Sequence, residues 1–251
     1  MRLALGEESL LPSREFGDGP ALSAVLFDLD GTLLDIDGEG FLDSYVEALA
    51  AHWGPPDLQA FRQAVMAASV PIFSEHPDLC NGQVFRQHLA RHLGIEPSSV
   101  WSHVAAFHAE ALRAIPVEHR PIPEARRCVE RCLERGLRVA VATTPIYTDD
   151  VIRLRLSWAG VEDLPWALIT HSENMHTCKP AAAYFAEVAS LLGVDPAACV
   201  MVGDDLLQDG PARKVGMPAL LRAGPGVDGW SSLEEVAATL DDLADTRRSL
   251  A

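Results

Sequence analysis

The sequence predicts an α/β protein: a doubly wound, Rossmann-like parallel sheet interrupted by an all-helical insertion. Three observations lead there. Short apolar runs at 24–27, 137–142 and 199–202 recur among segments of helical spacing, the alternation that buries parallel strands between two helical layers. Each run closes on polar residues: Asp28 after the first, Thr143 and Thr144 after the second, Gly203 and Asp204 after the third. One long stretch, from about residue 37 to 115, shows helical spacing and little that resembles a strand.

Taken in order, residues 1–22 mix Gly, Pro, Ser and Glu without periodicity and read as a flexible extension. The core is assigned to residues 23–37 and 116–251, and the helical cap to 38–115. Cap helices follow from the apolar spacing of Phe41, Tyr45 and Leu49, then Leu58, Phe61 and Val65, then Val84, Leu89 and Leu93, then Val100 and Val104. Hinges are expected near 35–40 and 115–123. Beyond residue 121 the pattern predicts a helix over 124–135, the strand to Thr143, a helix over 149–159 and a strand over 167–170. A helix over 180–192, with Pro180 at its favoured first position, the strand to Asp204 and a strand over 218–222 follow.

Composition bounds the function. A chain of 251 residues with 48% hydrophobic and 22% charged residues can bury a substantial core. No apolar run approaches the roughly 20 residues that span a bilayer, and the first residues are too short and too soon acidic for a signal peptide, so cytoplasm is expected. Five scattered cysteines without CxxC spacing indicate neither a disulfide framework nor a zinc site. His88 and His92 stand one helical turn apart, but no acid follows at a known ligand spacing, and helix-surface histidines are the simpler reading. A net charge of -16 argues against a nucleic-acid or anionic-membrane partner. Monomer and homodimer are both compatible with it. Small anions need only a local positive focus, and the chain has just two lysines, Lys179 and Lys214, beside 18 arginines.

The chemistry-bearing positions are Asp28-Leu29-Asp30-Gly31-Thr32, Thr143, Lys179 in Cys178-Lys179-Pro180, and Gly203-Asp204-Asp205 with Asp209 five residues after Asp204. An Asp closing a buried strand is either a turn former or a ligand-facing group at the carboxyl edge of the sheet. Two carboxylates around an Asp-Gly turn could be either. In this order, acid pair, hydroxyl, lysine and acid cluster, the chain resembles the haloacid dehalogenase superfamily, and the resemblance covers nearly everything after residue 22.

That resemblance implies Mg2+-dependent hydrolysis of a small phosphorylated metabolite, a phosphomonoester, through an aspartyl phosphate. It implies Asp28 as nucleophile, Asp30 as acid and then base, and Thr143 and Lys179 as catalytic groups on the phosphoryl oxygens. Asp28, Thr143, Thr144 and Lys179 would bind phosphate. Asp28, the Asp30 carbonyl and Asp204 would hold the metal, and Asp209 would bind it through water or orient Lys179. Retention of Asp30, which dehalogenases of the superfamily lack, disfavours dehalogenation. Thr144 stands where many relatives have Asn. A phosphotransferase or phosphomutase using the same nucleophile, and a noncatalytic phosphate-ligand binder, are the alternatives. Asp37, Phe41, Tyr45, Arg62, Asn81 and Arg86 are the candidates for substrate contact from the insertion. Asp205 either supports the metal site or caps the segment after it.

Overall fold

The computed structural model describes residues 19–74, 76–224 and 229–250. In chain order these form β1 (Ala24–Phe27), β2 (Leu34–Ile36), α1 (Gly38–Trp53), α2 (Leu58–Ser69), α3 (Asn81–Leu93), α4 (Pro97–Glu110) and β3 (His119–Pro121). Then follow α5 (Ala125–Glu134), β4 (Arg138–Val141), α6 (Asp149–Trp158), β5 (Leu168–Ile169), α7 (Ala182–Leu192), β6 (Cys199–Gly203), β7 (Ala219–Leu221) and α8 (Leu233–Leu250). Five strands make one parallel sheet in the order β5-β4-β1-β6-β7. Phe27 of β1 registers with Val141 on one side and Val202 on the other.

The four residues of β1 are wholly buried, as the unbroken apolar run requires of a central strand covered on both faces. Successive side chains point to opposite faces. Val25, Phe27, Val139, Val141, Val200 and Val202 belong to the core shared with α5, α6 and α8, whereas Ala24, Leu26, Ala140 and Met201 pack with Tyr184, Phe185 and Val188 of α7. The chain winds from β1 outward through β4 to β5, then crosses to β6 on the other flank of β1. That reversal puts the topological switch point between β1 and β6, where open α/β sheets bind ligands.

Between Gly38 and Ala114 the described residues contain α1 to α4 and short 3-10 turns. The chain leaves and rejoins the core through an antiparallel ribbon in which Leu34 of β2 registers with Pro121 of β3 and Ile36 with His119. Asp37 then caps α1 by accepting from the Glu39 amide. The helical segment is tied to the core directly. The Asn81 amide donates to Met175 O at 2.9 Å and the Gly82 amide to Ser172 O at 2.6 Å. Asn81 Nδ2 donates to Pro145 O at 3.0 Å and Thr177 O at 3.2 Å. Tyr45 Oη is 2.8 Å from His108 Nε2, and His108 Nδ1 faces Asp150 Oδ2 across 3.6 Å.

Three points differ from the sequence reading. The helix expected from Pro180 begins at Ala182, because the Ala181 amide first turns back to Cys178 O. The helix α8 was not anticipated; Arg131 and Arg135 of α5 hold it through Asp241 and Asp245. Pro20 and Leu22, placed in the expected extension, are packed: Pro20 O accepts from Arg247 and Leu22 is buried, while residues 1–18 lie outside the described residues. No helix of the described residues is long and apolar enough to cross a membrane.

Candidate active site

Asp28 follows the last residue of β1, its amide donating to Val202 O at 2.8 Å, so the central strand delivers this carboxylate to the switch point. Gly203 ends β6 and presents Asp204 beside it. Gly31 turns the backbone at φ +74°, and a Cβ there would overlap the Asp204 carboxylate; a Cβ on Gly203 would overlap that of Asp209. Both glycines of these motifs are therefore required by close approach of an acid to the backbone.

Three of the carboxylates gather. Ligand oxygens of Asp28, Asp204 and Asp209 all lie within 4.8 Å of one another. Lys179 enters the cluster fully buried, with Nζ 3.0 Å from Asp28 Oδ1 and 2.5 Å from Asp209 Oδ1. Burial works against its charge, but Asp209 and Asp28 together hold its pKa above the ordinary lysine range. One ammonium does not balance three acids. Burial, followed by the charge of Asp28, pushes Asp204 up to about 6, and burial likewise raises Asp209. A cluster of hard oxygen donors whose protons are held this high fits a divalent cation such as Mg2+, and Asp28, Asp204 and Asp209 are the side chains that could hold it.

Asp30 takes a different place. Its side chain does not join the acid cluster; Oδ2 is paired with Arg155 Nη2 of α6. Oδ1 is buried and has no hydrogen-bond partner among the described residues. Arg155 was not singled out in the sequence. It is 2% exposed, lies over the rings of Phe41 at 5.0 Å and Tyr147 at 5.4 Å, and burial lowers its pKa to about 10 against the attraction of Asp28. Thr143 is oriented through its carbonyl, which accepts from Tyr184 Oη at 2.8 Å and Thr170 Oγ1 at 3.0 Å. A pocket of about 190 Å3 brings Asp28, Asp30, Thr143, Thr144 and Arg155 to one space, closed on the helical side by Gly38, Glu39 and Leu42.

The remaining candidates separate. Tyr45 and Arg86 line a neighbouring cavity, described below. Asp37 serves as the α1 cap, Phe41 is fully buried beneath Arg155, and Arg62 pairs on the surface with Asp43 and Glu47. Asn81 docks the insertion, as above. Asp205 Oδ1 accepts from the Leu207 and Gln208 amides, which is the capping option of its two expected roles.

Known proteins share this architecture. Structures similar over most of the chain include a 2-haloacid dehalogenase from Pseudomonas syringae pv. Tomato DC3000 (22% identity, 88% of this chain and 99% of that one, TM-score 0.56). A haloacid dehalogenase-like family hydrolase from Xanthomonas campestris aligns at 19% identity over 93% of this chain and 97% of that one, TM-score 0.53. A HAD phosphatase from Thermococcus onnurineus aligns at 20% identity over 87% and 98%, TM-score 0.51. At these identities the likeness establishes the fold. No curated protein sequence matches the chain. The family model for haloacid dehalogenase-like hydrolases matches residues 22–215, from the buried Leu22 through all four motifs, and the chain belongs to that family.

Proposed function

We propose that this protein hydrolyses a small phosphomonoester by way of a phosphoryl group carried on Asp28, with Mg2+ as its cofactor. The observation that carries the reading is the convergence of Lys179 and two further carboxylates on Asp28 at the switch point, beside a pocket that also holds Asp30 and Thr143. Asp28, Asp204, Asp209 and the Asp30 carbonyl would hold the cation, which supplies charge neutralisation for the phosphoryl oxygens when bound.

In the first half-reaction an Asp28 oxygen attacks phosphorus and the bond from phosphorus to the ester oxygen breaks. Lys179 and the Thr143 hydroxyl stabilise charge on the phosphoryl oxygens. The leaving oxygen takes a proton from Asp30, whose Oδ1 is the carboxylate oxygen not engaged by Arg155. In the second half-reaction water attacks phosphorus, gives its proton to Asp30, and releases phosphate with the Asp28 carboxylate restored. Arg155 fixes Asp30 while this proton is passed in both directions. Transfer of the phosphoryl group to an alcohol instead of water would use the same first half.

The test is phosphate release from p-nitrophenyl phosphate with Mg2+, with EDTA, and with Asp28→Asn. The reading requires turnover with Mg2+, loss with EDTA, and a fall on the order of 1,000-fold or more in the variant. Equal turnover by Asp28→Asn would sink it.

A further inference from the structure

A second cavity of about 240 Å3 lies between the helical insertion and the core, next to the pocket that holds Asp28. Leu42, Ile146 and Tyr147 line both spaces, so the two adjoin at these three side chains. The floor is apolar and buried: Val46, Leu49, Val65, Ile72 and Val104 are each between 1% and 7% exposed. The rim is apolar too, with Met66, Phe73 and Trp101 at 46%, 55% and 39% exposure.

The hydroxyls of Tyr45, Thr148 and Ser69 in this lining are already engaged by the protein, while those of Tyr147 and Ser172 have no hydrogen bond among the described residues. Tyr45 Oη meets His108, Thr148 Oγ1 lies 3.4 Å from the same ring, and Ser69 Oγ donates to Met66 O at 2.8 Å. Arg86, the one charged side chain in the lining among the described residues, is paired with Glu173 at 3.4 Å and stacked on Trp101 at 4.9 Å. A sugar or nucleoside entering here would bury hydroxyls against carbon with few partners, which opposes binding. A hydrocarbon has no polar groups of its own to desolvate and removes the predominantly apolar wall from water.

We infer that this cavity receives the alcohol portion of the substrate, and that the substrate is therefore a phosphomonoester of an aliphatic or aromatic alcohol rather than of a sugar or nucleoside. The inference rests on the phosphatase reading: phosphate at Asp28, the chain or ring passing Leu42, Ile146 and Tyr147 into the cavity.

The experiment measures kcat/KM with Mg2+ for ethyl, butyl and hexyl phosphate, beside glucose 6-phosphate and p-nitrophenyl phosphate, in the wild type and in Ser69→Phe, which intrudes on the cavity from a half-buried position. The expected result is a rise of about 4-fold per buried methylene until the cavity is full, with hexyl phosphate well above glucose 6-phosphate. The ratio of hexyl to ethyl phosphate should fall towards one in Ser69→Phe. The wild-type series decides the matter alone if the variant does not fold. A flat or falling series, or preference for glucose 6-phosphate, overturns the substrate class while leaving the phosphatase reading intact. No phosphate release from any ester, p-nitrophenyl phosphate included, overturns the phosphatase reading itself and the substrate class with it.

Discussion

Asp204 shows how the residues of the site are balanced. Its pKa is raised to about 6, from an ordinary aspartate value near 4, chiefly by burial. A carboxyl whose folded pKa is raised binds more protons folded than unfolded in that interval, so its contribution to stability declines as pH rises from about 4 to about 6. A cation that needs the ionised oxygens reverses the trend. Thermal unfolding should therefore show a larger stabilisation by Mg2+ at pH 7.5 than at pH 5; equal increments would mean that the acid cluster is not where the cation binds. Asp28, Asp204 and Lys179 were legible because each sits at a strand end or beside a proline, features written in a few adjacent letters. Arg155 was not. Its signal was a charged residue on the apolar face of α6, three and four positions after the buried Ile152 and Val151, and only the three-dimensional position of Asp30 tells such an arginine from a surface one.

At the scale of elements, α3 is the part of the insertion most firmly joined to the core, through Asn81 and Gly82. Asn81→Ala strands Pro145 O and Thr177 O without that donor in a buried setting. We expect a loss of about 2 kcal/mol in urea unfolding, with faster hydrogen exchange at the start of α3 and little change in β1 or β6. Unchanged exchange in α3 would contradict its role as the anchor. The helices of the insertion were readable from their apolar periodicity, and β2 and β3 pair at its two ends. The pairing itself was not readable, since two three-residue strands far apart in sequence carry no periodic signal. The helix α8 could have been found: Leu233, Val236, Ala237, Leu240, Leu243 and Ala244 follow helical spacing, with glutamates in the first turn and arginines in the last.

For the whole molecule, topology explains why motifs scattered over nearly two hundred residues serve one site. Three parallel strands end at one edge, the winding reverses beside the central strand, and the insertion leaves the chain immediately after the first motif. In a chain of net charge -16, the proposed reading needs the buried Lys179 together with a cation to accept an anionic substrate at an acidic site. The central claim is that Asp28 carries the phosphoryl group. It is tested most directly by acid quench of the enzyme during turnover of p-nitrophenyl phosphate with Mg2+, followed by mass analysis of the peptide holding Asp28. The account predicts a phosphoryl mass increment on that peptide, absent in Asp28→Asn. Steady turnover with the increment on another residue, or undiminished turnover in Asp28→Asn, would contradict it.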